Sequence, residues 1–173
     1  SRLVIRAGEG FRPVVAFEPS SADLDPVRYP RSMTTLVGGA VTWIGIGLDL
    51  DIMSAPLAEN WCLAELRGSA SLRLENCWLT MRNGRRAEAV HHEGAAFFDV
   101  AASADGELPA TRQPAQLRLK NCVVRGEAIF LRSVQMQPSV VSWENGLAAI
   151  DGPMLLVQSA QMASREAGAL DIE

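Results

Sequence analysis

The sequence has few of the residues and patterns that mark several common classes of protein. It contains three cysteines and two histidines among 173 residues. The odd number of cysteines does not indicate a disulfide framework, and the absence of a Cys-x-x-Cys pair gives no indication of a common zinc site. The formal net charge of −4 gives no electrostatic reason to expect nucleic acid or an anionic membrane as a partner. No apolar run reaches the roughly 18 residues that a membrane span needs.

The motifs of several enzyme classes are also missing. No Gly-x-Ser-x-Gly, phosphate-loop or dinucleotide fingerprint occurs, and we expect no cofactor. The adjacent His91 and His92 would point in opposite directions on an extended segment, and we expect no metal site. The first residues have the pattern of a strand and not that of a signal peptide. We therefore expect a domain of a longer protein, and the sequence does not define its compartment.

The chain has instead one short pattern that recurs four times at uneven spacing. It is clearest in residues 72–81, Leu-Arg-Leu-Glu-Asn-Cys-Trp-Leu-Thr-Met, and it returns from residues 117 and 141 and, more loosely, from residue 41. Apolar and polar residues alternate as in a β-strand, and no segment has a sustained helical stripe. A constant pattern at variable spacing predicts a solenoid of constant cross-section with loops of different lengths inserted.

Asparagine or glycine occupies one equivalent position in all four copies. Both residue types adopt a positive φ more readily than others, so they suit a bend between two strands. Asparagine amides stacked on one another can also form hydrogen bonds. We therefore predict a structural Asn/Gly ladder at one corner of the solenoid, formed by Gly45, Asn76, Asn121 and Asn145.

Two of the cysteines share a place in the repeat. Cys77 and Cys122 each follow the corner asparagine, so stacked copies would make them neighbours. Two small buried apolar side chains are the favoured interpretation. A disulfide or a reactive thiol is the alternative.

The Leu-x-Leu-x-Asn-Cys-x-Leu pattern, with asparagine at a bend, resembles right-handed parallel β-helix proteins of the pectate-lyase-like class. The opening residues 3–15 also resemble β-helix segments of large multidomain bacterial proteins, notably those of planctomycetes. The resemblance implies an all-β fold, a right-handed parallel β-helix of about four to five coils with loop insertions. It would form a single domain over residues 1–173, with its core in about 1–160 and an end strand or cap in 159–173.

An enzyme of this class would need grouped acidic residues to hold calcium and a basic residue as catalytic base. Asp49 and Asp51 are weak candidates, because they share the outward face of one strand, and Asp99 and Glu65 could join them from neighbouring strands. The next copy has Thr80 in place of Asp49, so the acidic column is not continued. A solvated strand face is therefore favoured, and we assign no catalytic residue.

Candidate binding residues lie near the second copy of the repeat. Trp78 should face outward, in a column with Val123 and Leu147. Cover by the insertions at 82–95 and 101–114 is the favoured interpretation, and an uncovered column would be a contact surface for a glycan or a protein. Arg82, Arg85 and Arg86 could meet an acidic ligand such as a uronic acid or a phosphate, although a solvated loop is favoured.

The favoured function is a non-catalytic structural or carbohydrate-binding module of a larger bacterial protein. One alternative is a polysaccharide lyase or glycoside hydrolase of the pectate-lyase-like class. A second is an assembly unit that forms a homo-oligomer, since the ends of a solenoid present open strand edges. The expected partners are therefore a glycan, another protein or a second copy. We assign no activity from the resemblance, because a fold alone does not define one.

Overall fold

The computed structural model of the protein describes residues 1–19, 31–55, 59–85, 90–101, 113–134 and 137–158. All regular structure in these ranges is β-strand, and the strands form three parallel sheets of five strands each and one two-stranded antiparallel pair. The prediction of an all-β chain built from stacked parallel strands is confirmed. The predicted end strand or cap at 159–173 lies outside the described residues.

The strands of each sheet are interleaved along the sequence. Sheet A contains β1 (Arg2–Arg6), β4 (Ala40–Ile44), β7 (Ser71–Glu75), β12 (Ala115–Lys120) and β15 (Ser139–Glu144). Sheet B contains β2 (Val14–Phe17), β5 (Gly47–Asp51), β8 (Trp78–Arg82), β13 (Val123–Gly126) and β16 (Leu147–Ile150). Sheet C contains β3 (Ser32–Val37), β6 (Cys62–Arg67), β11 (Ala96–Ala101), β14 (Ile129–Val134) and β17 (Leu155–Gln158). The antiparallel pair is β9 (Gly84–Arg85) with β10 (Val90–His91).

The chain passes through sheets A, B and C in turn and then returns to sheet A beside the strand that it left. The register keeps equivalent positions of the repeat side by side, so that Leu72 lies between Val41 and Leu117. Because side chains alternate between the two faces of a strand, one face of each repeat points into a shared core. Burying a leucine in such a column contributes about 1.5–3 kcal/mol.

One corner of the solenoid lies between sheets A and B. Its residues all have a positive φ: 69° at Gly45, 53° at Asn76 and Asn121, and 50° at Asn145. The side-chain amide of Asn121 donates a 2.9 Å hydrogen bond to Oδ1 of Asn76. The backbone N–H of Asn121 donates to the carbonyl of Glu144, so backbone pairing continues around the corner. These contacts explain asparagine at the corner without any ligand.

The two ends of the stack are less buried than its middle. Strands β1, β2 and β3 form one edge, called the first edge, and β15, β16 and β17 form the other, called the last edge. In one inward-facing column Leu72 is 2% exposed, whereas Leu3 at the first edge is 54% and Val141 at the last edge is 40% exposed. Among the described residues, the core is therefore buried in the middle of the stack and exposed at both ends.

Candidate functional site on the outer face of sheet B

An apolar stripe crosses the outer face of sheet B from one edge to the other. It consists of the equivalent residues of the five strands, Val14, Gly47, Trp78, Val123 and Leu147. Val14 is 52%, Val123 38% and Leu147 60% exposed. Gly47 is buried and Trp78 is half-buried. Residues 86–89 and 102–112, which belong to the insertions expected to cover this column, lie outside the described residues.

Trp78 is the largest side chain of the apolar stripe, and its ring lies over Gly47. A Cβ atom at residue 47 would be 2.3 Å from Nε1 of Trp78, so only glycine leaves room for the indole. The side chain is half-buried. A partly exposed aromatic side chain of this kind is suited to packing against the apolar face of a ligand.

A polar cluster borders the apolar stripe on the same face. It contains Asp49, Asp51, Thr80, Arg82 and Arg125. Arg82 donates a 2.6 Å hydrogen bond to Oδ2 of Asp49 and approaches Oδ2 of Asp51 at 3.7 Å. A single guanidinium thus contacts both carboxylates, and their charge is largely compensated within the protein.

Arg125 is the most available cation of the polar cluster. Its side chain is exposed, and Nε donates a 3.1 Å hydrogen bond to Oγ1 of Thr80. No carboxylate of the described residues lies within ion-pair distance of Arg125. Its remaining N–H groups face solvent and can donate to hydroxyl or carboxylate oxygens.

Asp99 lies in a different sheet from Asp49 and Asp51. It is on β11 in sheet C, where it forms a buried salt bridge with Arg132 on the neighbouring β14. Arg132 also donates to the carbonyl of Gly94. Burial alone would lower the pKa of Arg132, but the hydrogen bond and charge of Asp99 raise it. The three aspartates suggested by the sequence are therefore not brought together.

A second carboxylate and a thiol accompany Asp99 in sheet C. Glu65 is its neighbour on β6, and Arg67 holds Glu65 through two 2.9 Å hydrogen bonds. Cys62 is fully buried on β6, and burial followed by the charge of Asp99 raises the pKa of its thiol well above the ordinary value. Each carboxylate is thus compensated by its own arginine, and the thiol stays protonated and unreactive.

The remaining predicted residues are only partly described. Arg86 lies outside the described residues, and so does the side chain of Arg85, whose backbone belongs to β9. His91 is exposed, whereas His92 is buried. Asn83 holds the backbone of His92 by accepting from its N–H at 2.6 Å and donating to its carbonyl at 2.9 Å.

Cys77 and Cys122 are free thiols in the core, each 1% exposed. They directly precede β8 and β13, which pair with each other, so the two residues lie on adjacent levels of the stack. Each sulfur lies 3.3–3.4 Å from two backbone carbonyl oxygens, either of which can accept from its single S–H group. In the structure they are therefore buried and reduced.

A cavity of about 280 Å³ opens on the outer face of sheet A near the last edge. Arg73, Arg118 and Lys120 line it, together with Glu144. Arg73 is paired with Glu75, and Lys120 lies 3.6 Å from Glu144. Most of its charge is balanced, so this cavity is a weaker candidate site than the outer face of sheet B.

The outer face of sheet B has the elements of a binding surface but not those of a metal centre. In the described ranges no group of three or more histidine, cysteine, aspartate or glutamate residues is placed to hold a metal ion. The same ranges contain no helix with the length and apolar character needed to cross a membrane. What the surface offers is an aromatic plane beside hydrogen-bond donors and acceptors.

Comparison with known proteins gives no further assignment. No protein-family model, curated protein or solved structure matches the chain. The site is therefore defined by its geometry alone.

Several contributors to these sites could not be identified from the sequence. Arg132 and Asn83 act through partners that lie far away in the sequence, Asp99 and Glu127 among them. Arg82, by contrast, is a candidate contact in the sequence, and the pairing of β5 with β8, which the aligned repeats predict, places it beside Asp49.

Proposed function

We propose that this domain is a non-catalytic module that binds a carbohydrate chain along the outer face of sheet B. The proposal rests mainly on one observation, the apolar stripe, which is exposed at Val14, Val123 and Leu147 and has the half-buried Trp78 at its centre. Exposed apolar surface that is continuous and bordered by polar groups commonly marks an interaction site. A stripe across five strands extends for about 19 Å, since neighbouring strands are about 4.8 Å apart, which suits an extended ligand.

The apolar stripe and the polar cluster together favour a sugar over a purely apolar partner. The indole of Trp78 would pack on the apolar face of a sugar ring, while the polar cluster would bind its hydroxyl groups. Arg125 has free donors in a planar arrangement that matches a carboxylate, which favours a chain containing acidic sugars. The outer face of sheet B thus accounts for both kinds of contact.

A non-catalytic role is favoured because the candidate acidic residues are compensated or separated. Arg82 contacts both Asp49 and Asp51, and Asp99 is paired with Arg132 in another sheet. A lyase or glycoside hydrolase needs a carboxylate or base that is free to exchange a proton or to hold an ion at the substrate. None of the three aspartates is arranged in this way.

We further propose that the solenoid winds in the right-handed sense with five coils. Connections between parallel strands are right-handed in about 98% of cases, and each sheet contains five strands. This winding and the Leu-x-Leu-x-Asn-Cys-x-Leu pattern support placing the domain in the pectate-lyase-like class. We keep the origin in a large bacterial protein, such as those of planctomycetes, as part of the same proposal.

A glycan screen with a turnover assay tests the proposed function. The domain is applied to immobilised neutral and acidic polysaccharides, and bound chains are then titrated by calorimetry and analysed for cleavage. We expect binding without cleavage, and Trp78→Ala should weaken it by about tenfold or more, corresponding to about 1.4 kcal/mol. Gly47→Ala should also weaken it, because the added methyl group displaces the indole.

Phe11→Ala is the matched control, because Phe11 is an exposed aromatic residue outside the apolar stripe. It should leave the affinity unchanged. Equal losses in the Phe11 and Trp78 variants would contradict a specific site on sheet B. Cleavage of a bound chain that disappears in Asp49→Ala would instead support the enzyme alternative.

A further inference from the structure

The first and last edges of the stack carry strand edges that no described strand covers. In a parallel sheet, half of the N–H and C=O groups of an outermost strand point away from its neighbour. The described strands end with β1, β2 and β3 on one side and with β15, β16 and β17 on the other. Since all strands of a sheet run in the same direction with a repeating register, the last edge of one molecule is complementary to the first edge of another.

The edge strands of sheet B have the composition of buried strands. Strand β2 is Val-Val-Ala-Phe and β16 is Leu-Ala-Ala-Ile, apolar on both faces, although both are mostly exposed. The interior strand β5 instead alternates apolar residues with aspartate. Edge strands that face water usually carry charges or proline, which prevent pairing with another chain. Strands β2 and β16 have neither of these protections.

Continuing the register of sheet A across the two edges gives compatible neighbours at three positions. Val141 would lie beside Leu3 of a second copy, and Trp143 beside Ile5, so the inward-facing column would remain apolar. On the outer face Glu144 would lie beside Arg6 of that copy, so opposite charges would meet. Opposite charges directly across two strands stabilise their pairing.

We propose that copies of this chain stack head to tail, with β15, β16 and β17 of one copy pairing in parallel with β1, β2 and β3 of the next. A second copy is the chosen occupant because the two complementary edges belong to the same chain. The contact is heterologous, so each added copy presents a new edge and the assembly grows as an open row. This inference does not depend on the glycan proposal, although stacking would join the apolar stripes of successive copies.

Sedimentation of the full chain over a range of concentrations is the first measurement. Head-to-tail stacking predicts a weight-average mass that keeps rising with concentration, without a plateau at the dimer. A mass that stays at that of the monomer at the highest soluble concentration would overturn the proposal. A plateau at the dimer would also overturn it, because only a closed two-fold contact stops there.

Two variants with one blocked edge give the decisive test. Leu3→Lys places a charge in the first edge and Val141→Lys places one in the last edge, at side chains that are already 54% and 40% exposed. Each variant alone should remain monomeric, because every contact needs one edge of each kind. Mixed in equal amounts, they should form a dimer of one copy of each and nothing larger, because one free edge of each kind remains. Self-association of either variant alone, or no dimer in the mixture, would exclude head-to-tail stacking.

A charge exchange at exposed positions covers the case in which the lysine variants fail to fold. Glu144→Arg and Arg6→Glu each bring like charges together across the proposed contact, and each should weaken stacking by about tenfold. The double variant restores opposite charges and should recover most of the affinity. Failure of the double variant to recover, with its circular dichroism unchanged, would rule out the proposed register.

Discussion

The middle of the solenoid and its two ends are built from the same repeat but differ in what surrounds it. In the middle, equivalent apolar residues such as Leu72 and Leu117 lie between two neighbours and are excluded from water. At the ends, Leu3 and Val141 occupy the same column and have a described strand on one side only. A repeat therefore acquires most of its stability from the levels above and below it, as in other solenoids.

The largest expected difference concerns ion pairs. Arg132→Met removes the partner of Asp99 inside sheet C and leaves a buried carboxylate, so it should lower the free energy of unfolding by about 3–5 kcal/mol. At the last edge, Glu144→Gln removes a partner from a pair with Lys120 that is largely exposed and 3.6 Å apart, so it should change this free energy by less than about 1 kcal/mol. Urea denaturation of both variants measures the two values.

Adding Asp99→Asn to Arg132→Met serves as the control for this comparison. The double variant should recover part of the lost stability, because it no longer buries an unpaired charge. Similar losses for Arg132→Met and Glu144→Gln would mean that the interior pair is not protected from water as the structure has it.

The same residues differ in how far the sequence predicts their contacts. The alternation around Leu72 and the asparagine before Cys77 predict stacked strands, because both depend only on local pattern and on repetition. The pairing of Asp99 with Arg132 depends on the register between β11 and β14. An unrepeated segment of variable length separates these strands, and local pattern does not fix how they align.

A smaller contrast is expected from equivalent leucines of one column. Leu72→Ala removes a side chain that is enclosed between Val41 and Leu117, and it should lower the free energy of unfolding by about 2–5 kcal/mol. Leu3→Ala at the first edge should cost less than about 1 kcal/mol, because its side chain is already 54% exposed. Thermal and urea unfolding of the two variants, at concentrations where the protein is monomeric, provide the measurement.

This second contrast also depends on self-association. If copies stack, Leu3 becomes enclosed between Val41 and a second copy, so the cost of Leu3→Ala should rise with protein concentration. The cost of Leu72→Ala should not. A Leu3→Ala effect as large as that of Leu72→Ala at every concentration would contradict an open first edge.

The smallest expected effects are at the corner between sheets A and B. Alanine is disfavoured at a φ near 50°, so Asn121→Ala and Asn145→Ala should each lower the free energy of unfolding by about 1–2 kcal/mol. Asn121 should lose up to about 1 kcal/mol more, because its side-chain amide also donates to Asn76. Asn121→Gly separates the two causes, since glycine accepts the positive φ and lacks the amide. If Asn121→Gly is as destabilising as Asn121→Ala, the side-chain hydrogen bond from Asn121 to Asn76 stabilises the corner. If the free energy of unfolding of Asn121→Gly is close to that of the unmodified protein, the corner needs asparagine only for its backbone conformation. Asn121→Ala in the middle and Asn145→Ala at the last edge should then lower this free energy by similar amounts.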